Sequence, residues 1–297
     1  MKYLRKFDSV SDMNTVIANS TIGILGLAYN NGQPVMKIKS GGSPVPPTPP
    51  VTKATPFYIE DVSGSDNTLQ IQKTHNNCPT LTIEKSLDGE TWESMGTTST
   101  TAITATVPAN GKLYLRCSAT RWAYEREVYE SSYYECNKIN CTGNFNAGGN
   151  IMSLLYGSNF TGNETEFNSS NTCIFATLFK GSKVVSAAEL FLPATTMKGY
   201  CYYAMFQNCT SLTTAPTIPD ATLTKAGNCY AFMFDGCSSL NYIKCLITGK
   251  SDIYTFTQYW VRGVAASGTF VKDPNMTYWA TGVNGIPDGW TVQDAQD

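Results

Sequence analysis

Charge is scarce in this chain of 297 residues. Lys and Arg total 21 against 23 Asp and Glu, charged residues make up 15%, and the net charge is −2. So weak and balanced a charge removes the electrostatic case for nucleic acid or for an acidic membrane surface. Histidine is nearly absent: His75 stands alone, and Cys78 lies in the same expected loop. That leaves little for a Cys-His pair. No run approaches the ~18 apolar residues of a membrane span, so no membrane insertion is expected. There is no Gly-x-Ser-x-Gly elbow, P-loop or dinucleotide fingerprint. Acids are sparse in the region that matters most below, with Glu189, Asp220 and Asp235 the main ones and both Asp in turn-like contexts. Paired-carboxylate hydrolysis therefore has little to draw on. The expectation is a protein with no catalytic residues, cofactor or metal. No heptad run or collagen repeat is present to enforce an oligomer.

What the chain does have is a repeat. Cys201-Tyr202-x-x-Met205-Phe206-x-x-Cys209-Thr210-Ser211-Leu212 returns 28 residues later as Cys229-Tyr230-x-x-Met233-Phe234-x-x-Cys237-Ser238-Ser239-Leu240. A period of that length is the mark of a stacked-coil protein. The apolar positions 201, 202, 205, 206, 209 and 212 predict one face of a short helix. Pro216 and Pro219 then force an extended segment. A degenerate copy begins at Cys173, with its Phe179 one residue late and no counterpart of Cys209. About three units are expected, the first in a capping role.

These motifs, with Thr213-Thr214-Ala215-Pro216-Thr217-Ile218-Pro219 after them, resemble the BspA-like leucine-rich repeats of Bacteroides and their phages. Gly149–Gly157 is similar to that family's lead-in. Gly268–Lys272 and Gly285–Val292 are similar to its closing segments. The resemblance covers about half the chain, from near 140 to near 293. It implies a surface or virion protein that works by adhesion.

The remaining sequence reads as a β-rich multidomain chain. Residues 1–40 form a small module, with a capped helix near Ser9 or Ser11 and a hairpin through Asn30-Asn31-Gly32. Its opening Met1-Lys-Tyr-Leu-Arg-Lys-Phe7 resembles the start of Bacteroides phage structural proteins. That implies a virion anchor, with Tyr3, Leu4, Phe7, Ile24, Leu25 and Val35 as anchoring residues that dock on capsid or tail proteins. Residues 41–56 carry five closely spaced prolines and read as a stiff spacer. Residues 57–135 alternate apolar and polar residues in four runs, 69–73, 80–85, 102–107 and 112–117, which predicts an immunoglobulin-like β-sandwich. Trp92 is expected in its core, with sugar stacking as the alternative. Tyr124, Tyr129, Tyr133 and Tyr134 read as an edge strand or subunit contact. Residues 136–250 are the leucine-rich-repeat solenoid. Residues 251–297 are a C-terminal cap in which Trp260, Trp279 and Trp290 cover the last coil.

Eight of the ten cysteines lie from Cys136 onward. Stacking places Cys201 near Cys229 and Cys209 near Cys237. They read as small buried hydrophobes, with disulfides as the alternative. Cys136-x4-Cys141 lacks the mate a zinc site needs. A binding face, if present, belongs on the extended segments, at Thr213, Thr214 and Thr217 on one rung and Asn241, Tyr242 and Lys244 on the next. The N-terminus lacks the apolar core of an export signal. The expectation is thus a non-enzymatic virion protein, a head or tail fibre or capsid decoration. It is a homo-oligomer, with a trimer favoured, that meets a host surface protein or glycan. A bacterial cell-surface adhesin is the alternative, and a glycan-active enzyme with accessory domains is the third.

Overall fold

The computed structural model describes residues 3–6, 24–30, 33–38, 51–128, 131–223, 227–248, 253–277 and 279–296; side chains are described from 51 onward, except 125–135. The chain divides into two compact units, Met1–Pro50 and Val51–Asp297. In the first, strands β1 (Tyr3–Lys6), β2 (Ile24–Asn30) and β3 (Gln33–Ile38) form an antiparallel sheet in the order β1-β3-β2. Asn30 pairs with Gln33 across the Asn-Gly signal. Tyr3 and Leu4 lie on β1, Ile24 and Leu25 on β2, and Val35 on β3. Phe7, the helix expected near Ser9 and residues 41–50 of the Pro-rich stretch lie outside the described residues.

The second unit is β-rich, with several sheets. Its first nine strands are β4 (Tyr58–Asp61), β5 (Asn67–Lys73), β6 (Thr82–Ser86), β7 (Glu93–Thr97), β8 (Ile103–Val107), β9 (Lys112–Arg116), β10 (Ala123–Val128), β11 (Ser131–Cys141) and β12 (Phe145–Asn150). All four alternating runs become strands, because period-2 patterning buries one face of a sheet. Leu69 and Ile71 of β5 point inward, as do Leu113 and Leu115 of β9. Two sheets result, β10-β11-β5-β8 and β12-β4-β9-β6-β7. Their inward side chains enter one hydrophobic cluster that continues to Trp290. The boundary expected near 135 falls inside β11. Trp92 departs from expectation. It is only half-buried and stands outside the core, whereas Trp122 is fully buried and donates its indole N–H to the Leu154 carbonyl at 2.9 Å.

From β12 the sheet turns parallel. Strand β13 (Val184–Ser186) pairs with β12, and single bridges join Ser186 to Thr214 and Thr214 to Tyr242. The row then runs through β15 (Tyr242–Cys245), β16 (Thr269–Lys272) and β17 (Thr291–Asp294), all parallel. The two-residue β14 (Leu190–Phe191) also pairs with β12.

The repeat segments are not helices. The only α-helix among the described residues is α1 (Ser153–Tyr156). Each repeat instead folds into overlapping four-residue turns. In the second coil the N–H groups of Cys201, Tyr203, Met205, Gln207 and Cys209 each donate to the carbonyl three residues back. The intervening N–H groups, of Tyr200, Tyr202, Ala204, Phe206 and Asn208, donate sideways to Gly227, Cys229, Ala231, Met233 and Asp235 of the next coil. Every backbone donor over this stretch is satisfied, half within a coil and half between coils. Every fourth residue has positive φ: Tyr200 (57°), Ala204 (49°) and Asn208 (61°). That is the third position of every second turn, as a type II turn requires, and it stops any helix. Over two turns a four-residue period and a 3.6-residue period give the same apolar pattern, which is why the sequence predicted a helix.

Among the described residues four such ribbons stack, at 173–182, 200–209, 228–237 and 255–263. The sequence showed three units. The fourth lacks the Cys and Met signature and carries Phe256 and Trp260 instead. The first ribbon is also in a different register from the one expected. Phe175 and Phe179 stack on Tyr202 and Phe206, an offset of 27 residues, so Ser182 takes the place of Cys209. Its hydroxyl lies 3.6 Å from the Cys209 thiol. Two aromatic columns fill the interior. One is Phe175–Tyr202–Tyr230, and the other is Phe179–Phe206–Phe234–Trp260, with neighbouring centroids 5.2–6.2 Å apart. Trp279 meets Trp260 edge-on at 5.4 Å. The Trp290 indole N–H donates to the Ala265 carbonyl at 2.7 Å.

Candidate binding surfaces

The six candidate residues fall on adjacent rungs of the parallel row. Thr214 bridges to Tyr242, Asn241 N–H donates to the Thr213 carbonyl at 3.0 Å, and Ile218 N–H donates to Lys244 at 2.9 Å. Strand alternation buries Ile243 and Cys245 and turns Tyr242 and Lys244 outward. Thr217 and Asn241 are exposed. Thr213 is less available, because its hydroxyl donates to the Val185 carbonyl at 3.0 Å. The same outward row continues through Thr269 and Thr291, each in register with its neighbour. Sequence reasoning missed these two because the last strands are spaced unlike the repeat. The signal available was the Gly268-Thr269-Phe270-Val271 segment.

The outer side of the ribbons carries a second row, unread in the sequence. Tyr203, Phe232 and Tyr259 contact in series, with centroids 5.4 and 5.5 Å apart. The Arg262 guanidinium lies 4.9 Å from the Tyr259 ring and is held by Asp235, with Nε to Oδ1 at 2.8 Å and Nη2 to Oδ2 at 2.9 Å. Gln207 donates to the same carboxylate at 2.8 Å. Burial alone would raise the Asp235 pKa. The bonds from Arg262 and Gln207 outweigh it and hold the carboxyl below its ordinary value. Phe232 and Tyr259 have φ of 57° and 51°, a strained conformation for bulky residues. The left-handed positions at the other end of the ribbon are Gly181, Asn208, Gly236 and Gly263, residues that tolerate it.

None of the ten cysteines is in a disulfide, and all are buried. Burial pushes the thiols of Cys117, Cys136, Cys141 and Cys245 up to about 12. Burial also dominates at Cys209, raised to about 11 against hydrogen bonds from Ser182 and Gly181. Thiols of this kind are poor nucleophiles. Among the described residues no cluster of three His, Cys, Asp or Glu side chains could hold a metal, and no helix is long and apolar enough to cross a membrane.

Where β4, β9 and the first coil meet, the Tyr58 hydroxyl donates to Glu189. Lys112 lies over the Tyr58 ring at 4.0 Å and 3.9 Å from both Glu60 and Glu189. Burial and the neighbouring carboxylates raise the Tyr58 pKa far above that of a free phenol. Tyr58 is fully buried, and this cluster ties the sheets to the coils.

No protein-family model, curated protein or solved structure matches the chain.

Proposed function

We propose that this is a non-enzymatic display protein of a phage particle, a head or tail fibre or a capsid decoration. In this reading the two antiparallel sheets are an immunoglobulin-like sandwich. The coils are a short BspA-like leucine-rich-repeat solenoid closed by the last strands. Residues 1–40 anchor the chain to capsid or tail proteins, 41–56 space it outward, and copies assemble, a trimer being favoured. The coils then meet a host surface protein or glycan. The observation that carries this reading is the registered row Thr214–Tyr242–Thr269–Thr291, outward-facing side chains held at fixed spacing on a hydrogen-bonded stack. A rigid row suits weak contacts repeated over many copies, where avidity supplies the affinity.

Immunogold labelling with an antibody to residues 150–290 tests it. Labelled phage particles are expected. Label confined to bacterial envelopes would replace this reading with that of a cell-surface adhesin. Deleting residues 1–40 is expected to abolish incorporation into particles; particles that still carry the shortened protein would refute the anchor.

A further inference from the structure

The strands that sequence reasoning packed around Trp92 leave it on the surface, and it lines an open cleft of about 180 Å³. Around it stand Arg116 at the end of β9, Gly89 in the β6–β7 turn, Pro56 ahead of β4, and Ser158 and Phe160 after α1. The Arg116 guanidinium lies 4.4 Å from the Trp92 ring. It is fixed in turn by Glu84, with Nε to Oε2 at 2.8 Å and Nη2 to Oε1 at 3.1 Å. The turn that carries Trp92 is clasped by Asp88, whose Oδ1 accepts from Ser86 Oγ at 2.8 Å, Glu90 N–H at 2.8 Å and Thr91 N–H at 2.7 Å. A half-buried indole on a turn fastened this way, with a fixed guanidinium over its ring, is organised before any ligand arrives, which lowers the ordering cost of binding.

We propose that this cleft binds the ring of a neutral sugar at the end or on a branch of a glycan. Size decides the first part. Pockets for drug-sized ligands run from ~300 Å³ upward, so this space suits one ring whose remainder projects into solvent. Chemistry decides the second. Trp92, Phe160 and Pro56 offer apolar surface to the C–H face of a pyranose. The Ser158 hydroxyl and the guanidinium N–H groups that Glu84 leaves open can meet ring hydroxyls. Charge decides the third. Arg116 is the one charged side chain among the lining residues, and Glu84 neutralises it through two hydrogen bonds. A sugar carboxylate would find no unpaired cation to offset its desolvation, whereas a neutral ring needs none. The cleft is separate from the outward row of the coils, so failure here leaves the display proposal intact.

The test is saturation-transfer NMR on the full chain with the methyl glycosides of glucose, galactose, mannose and N-acetylglucosamine, and with methyl glucuronoside as the charged probe. At least one neutral glycoside is expected to bind with a Kd near ~1 mM, the scale of a −4 kcal/mol contact. Trp92→Ala is expected to weaken it at least ~10-fold, about 1.4 kcal/mol, while Trp92→Phe keeps most of the binding. Should Trp92→Ala not fold, Ser158→Arg, which fills the mouth from an exposed position, is expected to abolish binding instead. The proposal is overturned if no neutral glycoside saturates, if the foldable variants bind like the parent chain, or if the glucuronoside binds more tightly than every neutral probe.

Discussion

At the scale of single residues, the interior of the coils depends on rings stacked on rings. Phe206 is fully buried between Phe179 and Phe234. Phe206→Ala is expected to lower stability in urea denaturation by about 3–5 kcal/mol, the cost of emptying an aromatic site in a packed core. Tyr202 behaves oppositely: its buried hydroxyl has no hydrogen-bond partner, and Phe175 holds the equivalent place one coil earlier. Tyr202→Phe is expected to raise stability by about 1 kcal/mol, since removing an unsatisfied buried polar group relieves its desolvation cost. Gly236 sits at φ 75°, where an added Cβ would strike Asn208 Oδ1. Gly236→Ala is therefore expected to destabilise by about 1–2 kcal/mol. The raised thiol pKa values give a pH signature with a definite sign. The unfolded thiols ionise near ~8.5 and the folded ones near 12. Their contribution is complete below the unfolded value and is lost as pH climbs from about 9 toward 12. Urea midpoints measured over that range should fall, and thiol-reactive dyes at pH 8 should label the protein only once it unfolds. Gly236 and Asn208 announce left-handed positions in the sequence; Phe232 and Tyr259 do not, because aromatics are the last residues expected there.

At the scale of elements, the strands were legible and the coils only partly so. Alternation in 69–73, 80–85, 102–107 and 112–117 identified β5, β6, β8 and β9, because a two-residue period has no competing reading. The repeat was legible as a repeat, but its conformation was not. Its apolar pairs recur every four residues, and only the inter-coil hydrogen bonds, invisible in one sequence, distinguish stacked turns from a helix. Cys, Tyr, Phe and Asn at the key positions, all middling or poor helix formers, were the available hint. The consequence is measurable. A chain with helices at 201–209 and 229–237 would show helical minima in far-UV circular dichroism, whereas tandem turns predict a spectrum of strand and turn. Trp92 was misread for a different reason. A large aromatic among alternating runs was expected in the core, but the adjoining β7 is an edge strand with no buried residue.

At the scale of the whole molecule, one sheet runs from the antiparallel strands into the parallel row, and the four ribbons stack alongside. Four of the six candidate binding residues were legible from the repeat, because Thr213 and Asn241, and Thr214 and Tyr242, stand one repeat offset apart on adjacent rungs. The Trp92 cleft was not, because its walls come from four separated stretches of chain. The function proposed here requires the coils to be locked side by side, so that the outward row keeps its spacing under load. Aromatic nuclear Overhauser contacts measure that locking directly. Selectively labelled protein should give an unbroken chain of ring-to-ring contacts, Phe179 to Phe206 to Phe234 to Trp260. Rings at 206 and 234 that show no mutual contact, each in unrelated surroundings, would contradict the stack and the display surface built on it.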